Sequence, residues 1–193
     1  METLNIKTSV VVWMIMAYSF TESRIGYLPI ASTDAGAANA NGSTVYPSQP
    51  ATLGQVVRAF DPTYGEGEFI LLVGVASTVV GSLVSYNATT YQTALSANTA
   101  NLAGPVAVAM SANLAASFGW YQIEGLAVVK KTAVAVAPQV AIFQSATTGR
   151  VMATVATGKQ LLGARAANLA TVTSTTSTVI VSINRPHKQG QII

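Results

Sequence analysis

From Leu53 to Ile183 the chain is written as short runs of β-branched and small apolar residues, cut at close intervals by Gly, Pro, Asn or Asp. Gln55–Phe60 has strand composition. Asp61-Pro62-Thr63-Tyr64-Gly65 reads as a turn, because Pro presets φ and Gly accepts φ > 0. Glu68–Val73 reads as the return strand of that hairpin. Further strands are predicted at Gly81–Tyr86, Pro105–Met110, Trp120–Glu124, Leu126–Lys130, Val140–Phe143, Arg150–Thr154, Gly163–Ala166 and Val179–Ile183, with Gly119 and Gly125 as separators. Thr93–Asn101 reads as a polar loop. In Ala133–Ala137 valine alternates with alanine, which fits a period of two better than a helix, since β-branched residues lose χ1 freedom in helices. Ser111–Ser117 is the best candidate for a helical turn. Regular short strands with turn signals argue an all-β fold, a small barrel or a sandwich of tulip or jelly-roll type.

Composition narrows what such a fold does. Cysteine is absent, His187 is the one histidine, and 9% of the 193 residues are charged. General acid–base catalysis leans on His and tuned carboxylates, and metal sites on Cys, His and clustered acids. The seven acids, Glu2, Glu22, Asp34, Asp61, Glu66, Glu68 and Glu124, are scattered except for the knot at 61–68. Soluble monomers carry roughly 25% charged residues. A chain with so few is expected to cover much of its surface with other subunits. The formal charge of +3 is mild, with Lys130-Lys131 the one adjacent basic pair, so neither a nucleic-acid nor a membrane partner is expected.

The start of the chain reads differently. Residues 1–52 are an apolar arm and a small-polar linker, 53–186 the β-domain and 187–193 a C-terminal tail. Ser9–Phe20 is an uncharged run of twelve, shorter than the roughly 20 residues a spanning helix takes. It resembles the apolar region of a signal peptide with Ala17-Tyr18-Ser19 as cleavage site, but Glu2 offsets Lys7. The arm is expected to lie along the sheet edge of a neighbouring subunit, so that removing 1–20 leaves the domain folded.

Each chemical motif has a plain alternative. Asp61, Glu66 and Glu68 lack the alternating oxygen ligands of a calcium loop, so a solvated turn accounts for them. No Gly-x-Ser-x-Gly elbow, dinucleotide fingerprint or phosphate loop occurs. Trp120 and Tyr121 fit either a core-and-rim pair or a stacking platform for a ligand. Asn87-Ala88-Thr89 is a glycosylation sequon, which has meaning only in a secreted chain.

The segments Glu68–Thr78, Gly81–Tyr86, Gly104–Ala109, Gly119–Val129, Thr148–Val151 and Val179–Ile183, taken in order, resemble the head-decoration (cement) proteins of tailed bacteriophages, including small lambda-like β-barrel proteins. The resemblance covers roughly 53–186. It implies a non-enzymatic virion protein on the outer surface of the capsid, docking on major capsid protein as a homotrimer or homodimer. It brings no catalytic, cofactor-binding or metal residues. The alternatives are a tail or head–tail connector component, a secreted adhesion module, and a small-molecule barrel using Trp120 and Tyr121.

Overall fold

A computed structural model describes residues 18–22, 28–31, 33–34 and 51–191. Its strands are β1 (Ser19–Phe20), β2 (Thr33–Asp34), β3 (Val56–Asp61), β4 (Gly65–Val73), β5 (Leu83–Tyr86), β6 (Thr93–Leu95), β7 (Ala103–Ala109), β8 (Phe118–Lys130), β9 (Ala141–Gln144), β10 (Val151–Met152), β11 (Gln160–Ala166) and β12 (Thr178–Gln189). None of the described residues is helical. The expected all-β class is what is found. The strands join into one hydrogen-bonded system along the path β1-β3-β4-β8-β7-β12-β11-β9-β10, with β2 on β8 and β5–β6 on β7. All pairings between these strands are antiparallel. The path ends at two-residue strands and does not close, so the barrel form of the expectation is replaced by an open, folded sheet. Very short edge strands expose few unpaired backbone groups to a passing chain.

Two predicted strands merge. Trp120–Glu124 and Leu126–Lys130 belong to one thirteen-residue strand, β8. Gly125 does not stop it; with φ of 99° it bends it. A Cβ there would sit 2.5 Å from the Glu66 carbonyl oxygen, so only glycine lets β4 pass this close. Before the bend β8 pairs with β4 and β7, and after it with β12. β12 answers with its own kink. Asn184, Arg185 and Pro186 bulge opposite Gly163, and beyond them His187–Gln189 pair with Ala103–Pro105. The C-terminal tail expected from 187 is therefore strand as far as Gln189. Pro186 had suggested an end, but a proline is tolerated at a bulge, where its missing N–H costs no ladder bond.

Three apolar clusters fill the sheet. Phe69, Leu71 and Trp120 form one with Tyr18, Ile30 and Met110. On the opposite face of the same strands, Ile70, Leu72, Tyr121 and Ile123 pack with Val84, Ala107 and Ala109. The third joins Val106, Val108, Ala127 and Val129 to Ile142, Leu161, Val179, Val181 and Ile183. Each Val, Leu, Ile, Phe or Met among them contributes roughly 1.5–3 kcal/mol on burial.

Other expectations shift. Ser111–Ser117 is a turn closed by Ser117 Oγ, which receives the Leu114 N–H at 2.9 Å and donates to the Leu114 carbonyl at 2.7 Å. Ala116 takes φ of 60°, which a helix does not allow. Part of the polar stretch 93–101 is strand β6, which pairs with β5, and Thr93 donates its hydroxyl to the Val73 carbonyl at 2.7 Å. Ala133–Ala137 has a single bridge, Val136 to Val172. Residues 1–17 of the arm lie outside the described residues, but Tyr18 and Leu28, further along it, pack on the chain's own sheet. Tyr18 donates to the Leu126 carbonyl at 3.0 Å and meets Phe69 edge-on with ring centroids 4.8 Å apart. Trp120 Nε1 donates to the Leu28 carbonyl at 2.7 Å. The folded unit thus takes in pieces of the segment read as arm and linker.

Candidate interaction surfaces

The β3–β4 hairpin carries the acidic knot, and its three members do different things. Asp61 is buried, and its carboxylate accepts the N–H groups of Thr63 at 2.7 Å and Tyr64 at 3.0 Å. It holds the turn, as Asp does at such positions. Gly65, the first residue of β4, takes φ of 76°, a left-handed conformation that glycine adopts at no steric cost. Glu68 faces Glu124 across the β4–β8 ladder, a like-charge pairing that costs free energy unless cations intervene. Two arginines intervene: Arg58 lies 3.3 Å and Arg185 2.5 Å from the two oxygens of Glu68. The Glu68 side chain is 12% exposed and both arginines are more than half exposed. Arg185 makes its contact from φ of 42°, backbone strain that the Glu68 ion pair and the β12 bulge together hold in place. Glu66 reaches out beside this network, 3.7 Å from Arg58 and 56% exposed. Next to it on the partner strand, in direct register, Phe60 is 51% exposed.

A groove of about 300 Å³ runs beside the outer edge of β3, lined by Thr21, Glu22, Gln55, Val56, Val57, Arg58 and Glu68. A shallower cleft of about 340 Å³ lies between β11 and β12, lined by Gly163, Ala164, Arg165, Ser182 and Asn184. The large aliphatic side chains Val79, Val80, Leu114, Val155 and Leu169 stand exposed on loops, Leu169 fully so.

Trp120 and Tyr121 are both fully buried and point into opposite clusters, so they are core on both sides and offer no stacking platform. His187 is exposed on β12, in register with Pro105 and Leu162. The sequon Asn87 spends its side-chain oxygen on the N–H groups of Thr89 at 2.8 Å and Thr90 at 3.0 Å, which builds a tight turn. No group of three or more His, Cys, Asp or Glu suited to a metal ion occurs among the described residues.

Nothing in the local sequence marks Lys131, yet it is the most unusual polar group in the fold. It is 1% exposed, and its ammonium donates to the carbonyls of Val134 and Thr173, each at 2.9 Å, and Thr132 at 3.2 Å. Three donors meet three acceptors, which ties the 132–136 and 173–177 loops together. Desolvation pushes the Lys131 amine below the usual lysine value, and does the same at Lys188.

A second signal is present in the sequence but needs a count by region to show. No acid follows Glu124. Residues 1–124 hold three cations against seven anions, a net of −4, and residues 125–193 hold seven cations and no anion, giving the overall +3. The sheet keeps most of the two sets apart: Glu22, Glu66, Glu68 and Glu124 border β1, β3, β4 and the first half of β8, while Lys130, Arg150, Lys159 and Arg165 border β8's end and β9–β11, and Arg185 of β12 bridges the sets through Glu68. Among the described residues, the only cations paired with a carboxylate are Arg58 and Arg185.

Compared with family models, with curated proteins and with solved structures, the chain matches none.

Proposed function

We propose that this chain is a structural subunit that decorates and cements a bacteriophage capsid, bridging adjacent major capsid subunits on the outside of the expanded head. The observation that carries the reading is a firmly packed, charge-poor sheet that holds large aliphatic side chains exposed on separate loops, at Val79–Val80, Leu114, Val155 and Leu169. Single exposed aliphatics are ordinary on a soluble protein. Their occurrence on a chain with 9% charged residues favours a surface completed by neighbours, in contacts that a typical interface makes over about 1,600 Å². The order of glycine-punctuated strands that resembles decoration proteins supports the same reading. Many weak contacts repeated around a shell add through avidity, so no single copy needs a large interface.

The test is co-sedimentation of the purified protein with expanded capsids stripped of it. Saturable binding at hundreds of copies, with capsids more resistant to heat, is the expected result. Binding at a dozen copies or none overturns the cement role.

A further inference from the structure

Acids and bases crowd different strands of the sheet, meeting where Arg185 of β12 pairs with Glu68 of β4, and the two regions differ in shape as well as in sign. At the acidic end a hairpin projects Glu66 and Phe60 side by side into solvent. At the basic end a cleft opens around Arg165, whose exposed guanidinium has no carboxylate partner among the described residues. Gly163, Ala164, Ser182 and Asn184 line the cleft beside Arg165.

We propose that copies of this chain associate head to tail, the β3–β4 hairpin of one copy seating Glu66 and Phe60 in the β11–β12 cleft of the next, with Glu66 on Arg165. A guanidinium fork takes a carboxylate in two parallel hydrogen bonds. Phe60 adds the apolar area that an exposed ion pair alone lacks, and aromatic and arginine side chains are the usual anchors of such contacts.

Distance decides that Glu66 and Arg165 serve a neighbour rather than each other. Strands in a sheet are about 4.8 Å apart, so β4 and β11, separated by β8 and β12, stand about 14 Å apart. Charges in water at physiological salt are screened over about 8 Å. Within one molecule Glu66 and Arg165 therefore barely neutralise one another, whereas docking brings them to hydrogen-bond distance. Hairpin and cleft are different surfaces, so the contact is heterologous and propagates until the rotation closes it into a ring. The association needs no capsid, so it stands or falls apart from the cement role.

Sedimentation velocity of the full chain, across protein concentration and from 0.05 to 1 M NaCl, tests the proposal, with circular dichroism confirming that each variant is folded. The expected result is self-association that weakens as salt rises. Glu66→Arg and Arg165→Glu, both at exposed positions, each raise the dissociation constant by about tenfold, and the double reversal Glu66→Arg/Arg165→Glu restores most of the loss. A protein monomeric under all conditions overturns the proposal, as does association indifferent to salt. Single reversals without effect, or a double variant no better than its parents, overturn it equally.

Discussion

Strands β4 and β11 are built to opposite specifications, although each lies between two neighbours in the same sheet. β4 is dry on both faces: Phe69 and Leu71 enter one cluster, Ile70 and Leu72 the other, and all four are nearly inaccessible. β11 buries Leu161 and Ala166 against a single cluster and leaves Gly163 and Arg165 to solvent. A strand buried on both faces reads as a continuous apolar run, and a half-buried one reads as alternation. In β11 even the alternation is broken: at Gly163, opposite the three-residue bulge of β12, the backbone takes φ of 73° and the inward positions move from Leu161 to Ala164 and Ala166. Apolar content thus marks a strand's depth, while its facing depends on bulges as much as on pattern.

The contrast is most easily broken at Trp120, which holds the cluster between β4 and the N-terminal segment. Trp120→Ala is expected to cost about 3–5 kcal/mol and to loosen residues 28–31, where the Leu28 carbonyl loses its donor. Urea unfolding measures the first effect and hydrogen exchange the second. Unchanged stability would show that the β4 side is not the main core.

Adjacent leucines sharpen the comparison. In β4, Leu71→Ala and Leu72→Ala should each cost about 2–5 kcal/mol, because neighbours on opposite faces are both buried. In β11, Leu161→Ala should fall in that range and Leu162→Ala below it, since Leu161 is 2% exposed and Leu162 is only partly buried. Equal losses at the two β11 positions would contradict the one-sided burial of that strand.

Gly163→Ala addresses the bulge. The residue holds φ of 73°, and a Cβ would meet the Asn184 carbonyl oxygen at 2.5 Å. A loss of about 1–3 kcal/mol is expected, with altered amide shifts confined to β11 and β12. A neutral effect would mean that the bulge relaxes freely.

The smallest effect is one of pH. Burial pushes the Tyr18 hydroxyl up from 10.0 to about 12, against the smaller, opposing influence of its hydrogen bond with Gln122. Burial also raises Tyr64, Tyr86 and Tyr121. Each is a group whose proton is held more tightly folded than unfolded, so its stabilisation is complete below the ordinary tyrosine value and declines as pH rises above it, for Tyr18 until about 12. Lys131 and Lys188, with lowered values, act in the other direction as pH approaches the ordinary lysine range. Denaturation midpoints from pH 8 to 12 should decline on balance, and Tyr18→Phe should flatten that decline. An identical slope in the variant would remove Tyr18 from the account.

Much of the fold is legible in the residues. The hairpin at Asp61–Gly65 is visible because Asp, Pro and Gly each serve one step of the turn. The strands at Glu68–Val73, Pro105–Met110 and Val179–Ile183 are visible as β-branched runs between breakers. Other features are not. Gly125 looks like a separator and is a bend inside a strand, since glycine marks an unusual backbone without saying which kind. Pro186 looks like an end and sits in a bulge. The polar Thr93 is in a strand because its backbone pairs with Tyr86 of β5.

The candidate surfaces divide in the same way. The absence of acids after Glu124 is a property of the sequence, open to anyone counting charge by region. That Glu66 stands beside Phe60, that Arg165 opens on a cleft, and that Lys131 finds three carbonyls are consequences of strand register and loop closure.

Local chemistry in this sequence therefore determined the all-β class, the turn positions, the scarcity of charge and its division into an acidic and a basic part. The tertiary structure alone decided which strands are neighbours, which faces are dry, and that the sheet stays open instead of closing. The physical reason is that turn preference and burial tendency reside in single residues and their near neighbours. Pairing and facing are settled by contacts between residues as far apart as Leu28 and Trp120, or Glu68 and Arg185, which no local pattern records.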